Sequence, residues 1–168
     1  MVDWELFVHM AEIAGVFVGF GALIAARSDE ASDAHTVEYL RGLVVGGLLV
    51  VTAALAPLVV SRFGIEGHAL WLPCSIFFVF IFLTSWIVDA RSPENRIERK
   101  ANRAITLRYM TVVLPMTFGM LGSLILIVIG AWPKFEPALY FLAVTLLLIE
   151  QGFTLIWLVW TRNTARAE

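Results

Sequence analysis

Ionisable side chains lie inside the first long apolar stretch of the chain. Glu5, His9 and Glu12 are spaced i, i+4 and i+7, so a helix places all three on one face. Carboxylate and imidazole groups can exchange protons and bind cations. Because an ionisable group is costly in lipid, it usually faces a partner or a polar path. This stripe predicts a cation or proton path along the first helix.

The last long apolar stretch carries a second polar stripe. Glu150 and Thr154 share a helix face, and Gln151 follows Glu150. Counted from Trp4 and Ala138 at 1.5 Å per residue, Glu12 lies about 12 Å deep and Glu150 about 18 Å deep. We therefore expect the two carboxylates at comparable depth. The predicted path residues are Glu5, His9, Glu12, Glu150, Gln151 and Thr154.

The same carboxylates also have a structural interpretation. A hydrogen bond from His9 or Gln151 could hold Glu12, and a similar bond could hold Glu150, so that buried polar groups join the helices. The sequence leaves both interpretations open.

Histidines allow one metal hypothesis. His9 and His68 could ligate a haem, and His9 and Glu12 could join Glu150 in a metal site. Neither spacing is specific, so no metal or cofactor is predicted. The chain has no glycine-rich phosphate loop, no His-Glu-x-x-His motif and no nucleophile elbow, so no enzyme is predicted either.

Length and composition place these residues in a membrane protein. The chain has 168 residues, of which 60% are hydrophobic and 15% charged, and its mean hydropathy is +0.83. These values exclude an ordinary water-soluble fold. Five apolar runs can cross about 30 Å of hydrocarbon: residues 6–26, 42–60, 69–88, 110–131 and 138–160. We expect one all-α integral membrane domain over residues 1–168, a bundle of five transmembrane helices.

Lys and Arg residues fall mainly on one side of these runs. If segments 27–41 and 90–108 are cytoplasmic, only Arg62 and Lys134 of the 12 basic residues lie outside. Trp and Tyr residues fall near the ends of the runs, as expected for side chains at the headgroup level. The pattern predicts a multi-pass protein of the plasma membrane, a bacterial inner membrane, with its N-terminus outside and its C-terminus in the cytoplasm.

The basic segment 90–108 has its own helix signals. Ser92, Pro93 and Glu94 are typical of a helix start. Apolar residues then recur at helical spacing among the charges, which predicts a basic amphipathic helix that extends the fourth span into the cytoplasm. Glu94 and Glu98 interrupt the positive charge, so nucleic-acid binding is not predicted.

Small residues predict where helices pack closely. Glycines occur three or four residues apart in the first, second and fourth runs, which suits close helix contact within the subunit or between subunits. These glycines are Gly15, Gly19, Gly42, Gly46, Gly119 and Gly122. An odd number of spans without an internal repeat argues against an inverted-repeat transporter, which builds its site between two halves of one chain. A pore would then be formed by several copies around an axis, so we expect a homo-oligomer.

Three functional hypotheses follow from these features. The first is a small homo-oligomeric channel or transporter for a cation or proton that uses the intramembrane carboxylates. The second is a non-catalytic subunit or assembly factor of a larger membrane complex. The third is a haem- or metal-binding membrane protein.

Overall fold

The protein is a bundle of long helices. Its structure, a computed structural model, describes residues 3–26, 34–91 and 103–165. The helices are α1 (Trp4–Ala26), α2 (Ala34–Ser61), α3 (His68–Arg91), α4 (Arg103–Ile129) and α5 (Glu136–Ala165). A 3-10 turn, Pro133–Phe135, leads into α5. The described residues contain no strand.

Each helix contains a stretch that is long and apolar enough to cross a membrane. These stretches are Trp4–Ile24, Leu40–Ser61, His68–Val88, Met110–Ile129 and Pro133–Trp157. All five overlap the runs predicted from the sequence. The prediction of an all-helical protein with five potential membrane-spanning helices is therefore confirmed for the residues that the structure describes.

One helix begins earlier than predicted, because α2 starts at Ala34, inside the segment expected to be a loop. α4 starts at Arg103, inside the basic segment, which agrees with the predicted extension of the fourth span over residues 103–108. Charged residues end an apolar run, but they do not end a helix. The helix can continue beyond the hydrocarbon into the headgroup region. The start of the predicted amphipathic helix, residues 92–102, lies outside the described residues.

α5 is the central helix of the bundle, because it packs against each of the other four helices. α1 lies at the edge. It packs mainly on α2 and α5 and reaches α3 through the stacked rings of Trp4 and Trp71, whose centroids are 6.3 Å apart. One long side of α1 is therefore exposed and free of contacts with the other residues that the structure describes.

An aromatic cluster joins the helices where α1, α3 and α5 begin, which we call the N-terminal end of the bundle. The ring of Phe7 lies 6.2 Å from that of Tyr140 and 6.3 Å from that of Trp71. The Tyr140 hydroxyl donates a 2.9 Å hydrogen bond to the Ala53 carbonyl. Trp71 and Tyr140 are buried, so they face the core at this level rather than the headgroups that the sequence suggested.

Glycines allow close packing at only some of the predicted positions. Gly46 accommodates the side chain of Gln151, and Gly119 lies against Leu146. By contrast, no atom lies within 4 Å of the place where a Cβ would stand at Gly15, Gly19, Gly42 and Gly122. α1 and α2 also pack closely at Gly47, against Val18, a position that the spacing rule did not identify.

We expect Gly47→Ala to destabilise the bundle by about 1–3 kcal/mol relative to Gly42→Ala. A Cβ at Gly47 would overlap the Val18 side chain and lie 3.4 Å from the Ala14 carbonyl oxygen, whereas the space at Gly42 is open. Both variants gain the same helix propensity, so their difference isolates the steric effect. Unfolding free energies measured in detergent micelles test this expectation, and equal values would contradict it.

Candidate functional site

The first helix presents a carboxylate and an imidazole in contact with each other. The Nδ1 atom of His9 lies 3.1 Å from an Oε2 oxygen of Glu12. The two side chains are 64% and 66% exposed. Because i and i+3 residues are neighbours on a helix, α1 alone holds this pair together.

The pair belongs to an exposed face of α1. Glu5, His9, Glu12, Val16 and Gly19 are all exposed, while the opposite face is buried against α2 and α5. The prediction that Glu5, His9 and Glu12 share one helix face is confirmed. This face points away from the subunit, a direction that the sequence did not determine.

The pair lies within the membrane-spanning part of α1. At 1.5 Å per residue, Glu12 is about 12 Å from Trp4, where both the helix and its apolar stretch begin. Hydrocarbon offers no hydrogen-bond donors and little screening, so exposed ionisable groups at this depth are costly.

Glu150 occupies a different environment. Its side chain on α5 is half-buried and lies near that of Thr117 on α4, whose hydroxyl donates to the Val113 carbonyl at 3.0 Å. Ring contacts of Phe7 with Tyr140 set the register of α1 against α5, and at 1.5 Å per residue this register places Glu150 about 7 Å deeper than Glu12. The structure does not bring the two carboxylates into contact.

The other predicted path residues of α5 point elsewhere. Gln151 is buried against Gly46, and its Oε1 atom has no hydrogen-bond partner among the described residues. The buried Thr154 hydroxyl donates to the backbone carbonyl of Glu150 at 2.9 Å. Of the two candidate partners for Glu12, the structure pairs it with His9 and not with Gln151.

A second histidine–glutamate pair was missed from the sequence. His68, at the start of α3, contacts the carboxylate of Glu136, at the start of α5, through its Nδ1 atom at 2.5 Å. The Glu136 side chain is 1% exposed and that of His68 is 45% exposed. His68 also packs near Gly130, whose positive φ of 69° turns the chain before α5. This pair closes the N-terminal end of the bundle.

The two histidines considered as metal ligands therefore lie in separate pairs. His9 contacts Glu12 on the exposed face of α1, and His68 contacts Glu136 between α3 and α5. Within the part of the chain that the structure describes, no three His, Cys, Asp or Glu residues form a group that could hold a metal ion.

Comparison with known proteins adds no further constraint. No protein-family model, curated protein or solved structure matches this chain. The buried pair joins two helices, whereas the exposed pair joins none.

We expect His68→Ala to lower the free energy of unfolding by about 1–3 kcal/mol, because it leaves the buried Glu136 carboxylate without its partner. His9→Ala is the matched control, since the partner of His9 is mostly exposed. Unfolding of monomers in detergent micelles measures both effects. An equal loss for the two variants would show that burial of Glu136 carries no energetic weight.

Proposed function

We propose that this chain forms a small homo-oligomeric membrane channel or transporter for a cation or a proton. The observation that carries the proposal is the His9–Glu12 pair, exposed on the surface of a membrane-spanning helix. Carboxylates and imidazoles within a membrane span are typical of ion paths and proton relays. They are also the groups whose charge changes when a proton binds.

A structural role for this pair inside the subunit has little support. Its hydrogen bond connects two turns of one helix, so the bond does not hold α1 against α2 or α5. In membrane proteins, side-chain hydrogen bonds stabilise helix packing when they link different helices. The exposed pair therefore serves an interaction outside the subunit, either with an ion or with another chain.

Glu5 and Glu150 extend the proposed path in opposite directions. Glu5 lies on the same exposed face near the start of α1 and can attract cations from water. Glu150 lies deeper and on another helix, as a half-buried carboxylate beside Thr117. Because Glu12 and Glu150 stand apart within one subunit, we assign the first exchange step to Glu12 and a later one to Glu150.

The proposed orientation has the N-terminus outside and the C-terminus in the cytoplasm of a bacterial cell. It rests on ten of the 12 basic residues, which fall on one side of the five spans, because Lys and Arg are enriched in cytoplasmic loops. In this orientation Glu5 and His9 face the outer half of the membrane. A cation would enter from outside past Glu5 and reach Glu12 next.

A second candidate function is that of a non-catalytic subunit or assembly factor in a larger complex. A specific surface favours it: Gly122 on α4 has open space around it, and Phe118 and Ile125 on the same helix face are strongly exposed. Such a gap between large side chains suits a helix from another protein. This function predicts that unrelated subunits co-purify in mild detergent, and a complex of one polypeptide would exclude it.

Flux into proteoliposomes tests the transport proposal. Under an imposed proton or cation gradient, we expect wild type to conduct and Glu12→Gln to fall to the level of empty liposomes, because the amide cannot exchange a proton or carry the charge. Glu150→Gln should also lower the flux. Glu66→Gln is the matched control, since Glu66 is exposed in the turn between α2 and α3 and should leave flux unchanged.

Two results would overturn the proposal. One is the absence of flux from folded wild-type protein with every gradient tested. The other is an equal flux from wild type and Glu12→Gln. Circular dichroism and gel filtration of each variant show whether a loss of flux reflects unfolding.

A further inference from the structure

We infer that a second copy of this chain covers the exposed face of α1, so that two α1 helices pack in parallel and their His9 and Glu12 side chains form one four-group cation site. The inference rests on the homo-oligomer of the proposed function. It adds the surface through which that oligomer forms and the residues that each copy contributes.

The spacing of the exposed residues fits a helix pair. Alternating steps of four and three residues define the seam of two helices that wrap around each other at a small angle. The seam of α1 is Glu5, His9, Glu12, Val16, Gly19 and Leu23. Every one of these residues is exposed in the subunit, so the seam is open from one end of the helix to the other.

The deeper half of the seam has room for a neighbour. Val16 and Leu23 expose 54% and 49% of their surface, and Gly15 and Gly19 have no atom within 4 Å of a Cβ position. Small residues on an open face let two backbones approach closely in a membrane. The glycines alone would not identify a partner, but the polar residues of the same seam do.

Those polar residues favour a second copy over lipid or an unrelated helix. Lipid tails cannot satisfy His9 and Glu12. Copies of one chain insert with the same orientation, so their α1 helices are parallel and related by a two-fold axis along the membrane normal. Each residue then meets its own counterpart at the same depth. Polar groups therefore meet polar groups and Val16 meets Val16, because the symmetry pairs identical residues.

The symmetry also defines the chemistry of the shared site. The two Glu12 carboxylates face each other across the axis, and each His9 flanks the carboxylate that it already contacts. Two carboxylates repel strongly where the dielectric constant is low. A bound proton or metal cation between them removes this repulsion, so the site is complete only when two copies and a cation are present.

Disulfide cross-linking in native membranes tests the helix contact. In a background where the single cysteine is removed by Cys74→Ala, we expect Val16→Cys and Leu23→Cys to give a covalent dimer as the main product under mild oxidation. Ile76→Cys on α3 is the control, because Ile76 is 51% exposed, close to Val16. A seam yield no higher than that of Ile76→Cys would overturn the inference.

A glycine variant tests the same contact without cysteines. Gly19→Leu should abolish the dimer in mild detergent, because a large side chain separates the two backbones. Gly42→Leu should preserve it, since Gly42 is exposed and open but lies on α2. Loss of the dimer in both variants, or in neither, would contradict a contact through the α1 seam.

The cation site has its own measurement. We expect the dimer fraction of wild type in detergent to rise with added Zn²⁺ if the site takes a metal cation, or with lower pH if it takes a proton. Glu12→Gln should respond to neither. A wild-type dimer that responds to neither condition would overturn the four-group site.

The flux experiment and the cross-linking experiment can fail independently of each other. Flux that depends on Glu12, without cross-linking along the seam, would retain the proposed function and reject this interface. Cross-linking along the seam without flux would retain the interface and reject transport.

Discussion

Hydrocarbon offers no hydrogen-bond partner, and this constraint explains how the backbone and many hydroxyl groups of the described helices are held. Long helices satisfy the backbone internally. The hydroxyl groups of Thr52, Thr84 and Thr145 donate to carbonyls one turn earlier in their own helices. Tyr140 reaches across to the Ala53 carbonyl of α2. These hydroxyl groups therefore leave no unpaired donor in the hydrocarbon. The central helix α5 carries two of them, on Tyr140 and Thr145.

The same constraint separates the two histidine–glutamate pairs. They contain the same chemical groups, but Glu136 is buried and contacts a histidine from another helix, whereas Glu12 is exposed and contacts a histidine from its own helix. The first pair stabilises tertiary structure at the N-terminal end of the bundle. The second pair lies on one helix and links no two helices of the subunit. Under the proposed function, its cost in lipid is offset by a contact outside the subunit.

The sequence predicted the five spans because apolar length is a direct consequence of membrane thickness. It did not predict which face of α1 points outward, since the core and the lipid are equally apolar and periodicity cannot distinguish them. It also did not reveal that Gly47 packs while Gly15 and Gly19 stay open, because glycine spacing carries no information about the neighbouring helix. The His68–Glu136 pair was within reach: both residues begin odd-numbered spans, which start on the same side of the membrane.

Assembly and cation binding become one process if α1 helices meet at the seam. In an isolated subunit Glu12 is exposed and contacts His9; in a pair it would also face the carboxylate and the imidazole of the second copy. A cation that binds only between paired copies stabilises the pair, and by linkage the pair binds the cation more tightly than a single copy does. Glu150 takes no part in this coupling, because it lies against Thr117 inside each subunit. Cation binding at the two carboxylates would therefore depend differently on protein concentration. Binding at Glu12 would rise with the degree of association, and binding at Glu150 would not.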